Sequence, residues 1–378
     1  MLRRHWVFAP LLLASACGTS NPPPPTDAPS VDASLDAALD ATDEMDVVSV
    51  DVPKAPVDSG PACPAPLGQP APRTVTAPAR PMDATLRMNH LQSLATHNSY
   101  HLRPERLGPD WDYEHAPLDT QLNDQGVRGL ELDIRWDARC GRFRVYHLPI
   151  LDPRSTCDLF TDCLGLIRRW SDAHAGHHPL FIQLEPKDAW DDATAETRFA
   201  AVEAEILSVF PREMVITPDE VRGSSATLPE ALRDHGWPTL AASRGRVLFA
   251  VDRHDNVREV YTHGGRDLAG RLMFIDANVG APYAAFLVLN NARSPEVPAA
   301  VRAGYIVRVF SWTAGSDPLD PAEHQAALDS GAQVISTDFP GSLPDGGVGA
   351  RIPGGAPSRC NPLVAPTGCT SEDIERLP

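Results

Sequence analysis

Six side chains in this sequence have the types and spacing for one piece of chemistry. His97 and Asn98 follow the apolar run Leu91-Gln-Ser-Leu-Ala95, Glu131 and Asp133 lie two apart in Gly129–Arg135, His147 closes Phe143–His147, and Glu185 closes Leu180–Glu185. Residues two apart on a strand point to one face, so Glu131 and Asp133 point together. Two carboxylates in one cavity repel unless a cation or a proton lies between them, and Glu185 on a neighbouring strand adds a third. Oxygen donors of this kind, completed by the amide carbonyl of Asn98, suit a hard cation, Ca2+ or Mg2+. Zinc fits less well, because neither Cys nor a His cluster stands with the acids.

His97 and His147 can exchange a proton near neutral pH. Two histidines beside one cation suit in-line attack on phosphorus: one takes the proton of a nucleophilic hydroxyl, the other gives one to the leaving oxygen. Arg135 or Lys187 would balance charge on the phosphoryl oxygens. Asp338 ends a late strand, and Trp312 lies in the run Ile306–Trp312. The plainer reading makes Glu131 and Asp133 rim salt bridges to Arg128, Arg135 or Lys187. His101, His115, His174, His177 and His178 are read as ordinary surface or core histidines.

The elements that must position these groups alternate. Short runs rich in β-branched and apolar residues occur at Leu91–His97, Gly129–Trp136, Phe143–His147, Leu180–Glu185, Val247–Val251, Leu272–Ile275, Ala285–Leu289, Ile306–Trp312 and Val334–Thr337. Helical spacing marks Cys163–His174, Ala193–Phe210 and Pro321–Ser330 between them. Strand–helix alternation on this scale predicts an α/β fold with a parallel sheet, a distorted TIM-type (β/α)8 barrel over residues 81–345. Phe143–His147 follows Arg135 too closely for a helical crossover, so an antiparallel hairpin is expected there. In such a barrel the functional groups gather at the C-terminal ends of the strands. Neighbours on a strand face opposite ways, so His97 and Asn98 can share a site only if the backbone turns out of the strand between them.

The chain has 378 residues, 42% of them apolar, and a net charge of −17. That charge argues against nucleic acid as a partner. Residues 18–60 hold nine Asp/Glu against one Lys, so this tract carries −8 of the total. Its Pro, Ala and Asp content extends to about residue 80 and predicts a disordered tether over residues 18–80. Residues 1–17 read as an export signal, with Arg3 and Arg4 before the apolar run Trp6–Leu13 and Leu13-Ala-Ser-Ala-Cys17 at the cleavage site. This ending resembles a bacterial lipobox, which makes Cys17 the lipidation site and the protein an exported membrane lipoprotein or an extracellular protein. Beyond Cys17 six cysteines remain, an even number suited to an oxidising compartment. Cys360 and Cys369 are placed to staple the tail, residues 346–378, and the other pairings stay open.

Thr96-His-Asn-Ser-Tyr-His101, Glu131-Leu-Asp133, Val145-Tyr-His147, Leu184-Glu185 and Ile335-Ser-Thr-Asp-Phe-Pro340, in this order, resemble phosphatidylinositol-specific phospholipase C of the secreted bacterial, calcium-dependent type. The resemblance covers roughly residues 88–340. It implies a distorted barrel that cleaves a phosphodiester on its glycerol side, an inositol hydroxyl attacking to form a cyclic phosphate. It also implies His97 and His147 as the catalytic pair and Asn98, Glu131, Asp133 and Glu185 as Ca2+ ligands. Arg135 stands where metal-independent relatives carry an arginine in place of the metal; Lys187 and Asp338 are expected as substrate-binding or supporting groups or as rim salt bridges, and Trp312 as a face for a ring-shaped head group or as a core residue. Phospholipid or a small phosphodiester is the expected substrate, the N-terminal lipid the expected contact with a membrane, and a monomer the expected state. Two other readings are a glycerophosphodiester phosphodiesterase or sphingomyelinase-D-like enzyme, and a surface binding protein on a barrel that no longer turns over.

Overall fold

A computed structural model describes residues 63–376, apart from 75, 106–107, 109–110, 316–319 and 344–345. The expected export signal, Cys17 and the expected tether up to residue 62 lie outside the described residues.

The apolar runs become strands: β1 (Leu91–Thr96), β2 (Val127–Asp137), β3 (Arg142–Val145), β4 (Leu180–Pro186), β5 (Val247–Val251), β6 (Phe274–Ile275), β7 (Phe286–Val288), β8 (Ile306–Phe310) and β9 (Val334–Thr337). Eight of them pair in parallel in the order β6-β5-β4-β2-β1-β9-β8-β7, and a parallel bridge between Asp276 and Phe286 brings the two ends together. The result is the nearly closed, distorted barrel expected. Every residue of β1 and β5 is buried, as strands must be when helices cover the outside and side chains fill the inside. Gly129 allows β1 and β2 to approach, since a Cβ there would lie 2.6 Å from the Ala95 Cβ.

Two features make the distortion. β3 pairs antiparallel with β2, Ile134 opposite Val145, which is the predicted hairpin. Residues 277–285, between β6 and β7, hold no helix. The predicted helices form at Phe160–Ala173, Asp192–Val209 and Pro321–Ser330. Asp191 caps the second by accepting from the Thr194 N–H. Asp320 caps the third, Pro321 takes its first turn, and Gly331 at φ 78° ends it.

The six cysteines pair as Cys63–Cys140, Cys157–Cys163 and Cys360–Cys369. The first of these corrects the length of the expected tether. The described residues of 63–80 carry no helix or strand, yet they lie against the barrel as a strap. Its carbonyls at Ala65 and Ala71 accept from Arg142 and Arg168 at 3.0 Å each. Arg73 donates to the carbonyls of Gly245 and Ala175, and Arg80 to that of Glu372. Composition predicted disorder because it counts apolar residues, whereas this segment is held by a disulfide and by backbone hydrogen bonds.

The tail seals the base of the barrel. β10 (Ser358–Cys360) adds antiparallel to the start of β1. Glu375, 4% exposed, receives the Arg128 guanidinium at 2.9 Å and the His178 N–H at 3.1 Å. Burial alone would raise the Glu375 carboxyl, but Arg128 and His178 hold it at about 2, against an ordinary 4.5. A depressed folded-state value means that this stabilisation is present above about 4.5 and is lost as pH falls toward 2. Replacing Glu375 by Gln is therefore expected to lower the melting temperature at pH 7 by roughly 5–10 °C. It should also flatten the acid limb of the stability profile. Thermal melts across pH check this, and an unchanged midpoint would show that the latch contributes nothing.

Candidate active site

The chain leaves β1 in a tight turn. The His97 N–H still bonds the Thr337 carbonyl at 3.1 Å, but Asn98 adopts φ 43° and the Ser99 N–H crosses to the Glu131 carbonyl. Asn is one of the few residues that take this left-handed conformation readily. The Ser99 hydroxyl accepts the Glu131 N–H at 2.8 Å, tying the turn to β2. In consequence the Asn98 amide nitrogen lies 3.3 Å from His97 Nε2, so neighbouring side chains stand on one side of the chain. The required bend is present.

The three acids meet at the same end of the barrel. Asp133 and Glu185 are direct partners across β2 and β4. Oxygens of Glu131, Asp133 and Glu185 all lie within 4.8 Å of one another. Arg308 Nη2 reaches Glu131 Oε2 at 2.6 Å, while Lys187 Nζ sits 2.8 Å from Glu185 Oε1 and 3.6 Å from Asp133 Oδ2. Asp133 is fully buried, and neither of its carboxylate oxygens has a hydrogen-bond partner among the described residues. Burial pushes the Glu131 carboxyl above its usual range despite Arg308 and His97 beside it. A buried carboxylate left short of partners costs several kcal/mol, and a divalent cation among these oxygens would remove that cost. The donors are all oxygen, as Ca2+ requires.

Each proposed catalytic histidine is backed by an aspartate. His97 Nδ1 lies 2.9 Å from Asp338 Oδ1, whose other oxygen accepts the Ala314 N–H. His147, 1% exposed, has its Nδ1 3.5 Å from Asp152 Oδ2, and the same carboxylate takes His101 Nε2 at 2.9 Å. Burial would raise the Asp152 carboxyl, yet hydrogen bonds from His101 and His147 bring it below its usual range. With the Asp338 carboxylate on Nδ1, His97 must carry its proton there, which leaves Nε2 as the acceptor. Phe310 meets the His97 ring edge-on with centroids 5.0 Å apart, and the Arg308 guanidinium lies over Phe310 at 3.8 Å.

Other expected groups fall elsewhere. Arg135 does not reach the acids: its Nε donates to the His147 carbonyl at 2.8 Å, and its Nη1 lies near the Lys187 carbonyl and Asp188. It braces the rim, and the cations on the acids are Lys187 and Arg308. Arg128 belongs to the base. Trp312 is 8% exposed, donates to the Asp320 carbonyl and packs on His324, so its indole is part of the loop between β8 and the next helix. Phe310, edge-on, and Tyr113, stacked with centroids 6.3 Å apart, are aromatics beside His97.

Several site residues escaped the sequence reading. His101 and His115, ordinary by sequence, belong to the surroundings of the site. His101 holds Asp152, and His115 Nε2 lies 2.8 Å from the His97 carbonyl. Burial lowers His115 to about 4, so it stays neutral. Arg308 carried a usable signal, a charge inside the apolar run Ile306–Phe310. Asp252 and Asp276 carried another, since each directly follows a strand. They flank His254 at 3.2 and 3.1 Å, and the Asp252 hydrogen bond leads the causes that raise this histidine to about 9. Asp152, five residues beyond His147, had no periodic signal.

The family model described as phosphoinositide phospholipase C, Ca2+-dependent, matches residues 86–146 and 142–362. The fold is similar to that of a calcium-dependent phosphoinositol-specific phospholipase C from a Gram-negative Pseudomonas species. The two chains share 20% identity with a TM-score of 0.53, over 75% of this chain and 98% of that one. A myoinositol complex of the Pseudomonas enzyme matches equally well. The Ca2+-dependent phosphatidylinositol-specific phospholipase C of Streptomyces antibioticus shares 22% identity with a TM-score of 0.51, over 68% of this chain and 96% of that one. No curated protein matches the chain.

Asn98→Gly separates the turn from the amide. Glycine accepts φ 43° without strain, so the melting temperature should stay within a few degrees of wild type. Ca2+ affinity measured by calorimetry should fall about tenfold if the amide is a ligand. Unchanged affinity would leave Asn98 with the turn and with its contacts to the Tyr113 and Tyr100 hydroxyls, at 3.2 and 3.3 Å.

Proposed function

The chain belongs to the Ca2+-dependent phosphoinositide phospholipase C family, phosphodiesterases that act on phosphoinositides, and on that premise we propose that His97 and His147 cleave phosphatidylinositol by general base and general acid catalysis. The observation that carries this reading is the pairing of each histidine with an aspartate beside three clustered carboxylates, of which Asp133 lacks a hydrogen bond among the described residues.

In this mechanism His97 Nε2 takes the proton of an inositol hydroxyl adjacent to the phosphate, and Asp338 stabilises the imidazolium that forms. The hydroxyl oxygen bonds to phosphorus as the bond from phosphorus to the glycerol oxygen breaks. His147, oriented by Asp152 at Nδ1, donates its proton to that departing oxygen. The products are a cyclic inositol phosphate and diacylglycerol. Lys187 and Arg308 place positive charge beside the acids. Asn98, Glu131, Asp133 and Glu185 would hold the Ca2+, which when bound supplies charge neutralisation at the phosphoryl oxygens. The family's metal is Ca2+, and nothing favours Mg2+.

We further propose that the protein works outside the cytoplasm as a monomer, joined to a membrane through Cys17 and the tether. Disulfides between all six remaining cysteines support an oxidising compartment. Among the described residues no helix is long and apolar enough to cross a membrane.

His97→Ala and His147→Ala are each expected to lower cyclic inositol phosphate release by about a thousandfold or more. Excess chelator should abolish release as well. Phosphorus NMR of the products checks both. Full turnover in chelator would remove the metal from the reading, and turnover surviving both substitutions would remove the site. Hydrolysis of glycerophosphocholine in place of phosphatidylinositol would reassign the substrate.

A further inference from the structure

The strand ends beside the acid cluster carry a second group of ligating atoms. β5 and β6 run in parallel register, Val251 opposite Ile275, and each is followed at once by an aspartate. The Asp276 N–H still bonds the Val251 carbonyl at 2.8 Å, so Asp252 and Asp276 leave the sheet side by side. Each carboxylate is fixed through one oxygen. Asp252 Oδ2 accepts from Gln183 Nε2 at 3.0 Å, and Asp276 Oδ1 accepts the Val288 N–H at 2.6 Å. The other two oxygens, Asp252 Oδ1 and Asp276 Oδ2, converge on His254 Nε2 at 3.2 and 3.1 Å. One ligand atom from each of the three residues lies within 4.8 Å of the other two.

A salt bridge accounts for part of this. One imidazolium faces two carboxylates, so the group keeps a net negative charge, and Asp276 is only 3% exposed. Like charges opposite each other on paired strands repel, and burial strengthens the repulsion. A divalent cation in place of the single proton on Nε2 would balance both acids. The hydrogen bonds from Gln183 and Val288 also suit ligands, because a carboxylate held at its far oxygen presents the near one in a fixed direction. The His254 side chain is 61% exposed, so a cation can enter from solvent.

We propose that Asp252, His254 and Asp276 bind a divalent transition-metal ion of the Zn2+ type through two carboxylate oxygens and the imidazole Nε2. Imidazole combined with carboxylates suits that class, whereas Ca2+ takes oxygen throughout. Three protein ligands and a solvent-facing fourth position match open zinc sites. Binding displaces the Nε2 proton to solvent. This site is separate from the Glu131, Asp133 and Glu185 cluster. The two share a wall at Gln183, which pairs with Glu131 across β2 and β4 and donates to Asp252. The ion would tie β5 to β6 and, through Val288, to β7, where residues 277–285 hold no helix. Binding here requires neither turnover nor Ca2+ in the acid cluster.

The test is calorimetric titration of Zn2+ into the full chain saturated with Ca2+, comparing wild type with His254→Lys and Asp133→Asn. His254→Lys keeps a cation beside the two aspartates but removes the imidazole, so a plain salt bridge survives it and a metal site does not. Wild type should take up one tightly bound Zn2+, with a rise of a few degrees in melting temperature at saturation. His254→Lys should bind Zn2+ about tenfold or more weakly and lose that rise, while melting within a few degrees of wild type in chelator. Asp133→Asn should lose Ca2+ affinity and keep the Zn2+ site. No tight Zn2+ binding by wild type, or the same affinity in His254→Lys, would overturn the site. Loss of Zn2+ binding in Asp133→Asn, with His254→Lys unaffected, would also overturn it and assign the ion to the acid cluster. Zn2+ binding that His254→Lys abolishes, in a protein that shows no response to Ca2+, would keep this site and remove the Ca2+ reading.

Discussion

Three carboxylates that would rather be apart organise this barrel. Asp133 and Glu185 face each other across β2 and β4, and Glu131 joins them from two residues down its strand. Like charges directly opposite in a sheet are destabilising, and burial makes the repulsion worse. The fold answers with two cations, Lys187 between Glu185 and Asp133 and Arg308 on Glu131. The answer is incomplete, because the oxygens of Asp133 still have no hydrogen bond among the described residues. Such a deficit is what a site for a divalent cation looks like before the cation is considered.

The remaining structure keeps those acids in register while leaving the mouth free for chemistry. The base is sealed by the tail through Glu375 and Arg128, and the strap binds the outside through Arg73, Arg142 and Arg168. Stability sits at one end of the barrel and reactivity at the other. The β2–β3 hairpin departs from a regular barrel for a reason visible in its contacts. It returns the chain to the mouth so that His147 can stand beside β2, with Arg135 bracing the His147 carbonyl.

Much of this was legible in the chain itself. The strands are short β-branched runs of the right length, and the rule that functional groups sit at strand ends points to His97, Asn98, Glu131, Asp133, Glu185 and Asp338, which the fold brings to one end of the barrel. Even the turn at Asn98 could be demanded in advance, since two neighbours had to share a side. What stayed hidden depends on long-range contacts. Arg135 is aimed by carbonyls fixed twelve and fifty-two residues away, and Trp312 by a neighbouring helix start. Asp152 reaches its histidines because the turn after His147, closed by backbone hydrogen bonds between Leu148 and Asp152, folds it back. The strap reads as disorder because its partners are backbone carbonyls and a distant cysteine, neither of which leaves a local pattern.

The proposed Ca2+ site in the acid cluster belongs to the folded state, and thermal unfolding tests it without reference to turnover. A ligand bound only by the folded protein at a hundred times its dissociation constant adds about 2.7 kcal/mol. Saturating Ca2+ should therefore raise the melting temperature by about 5 °C or more over the chelated protein, and Asp133→Asn should abolish the rise. The same melting temperature in Ca2+ and in chelator would contradict the account.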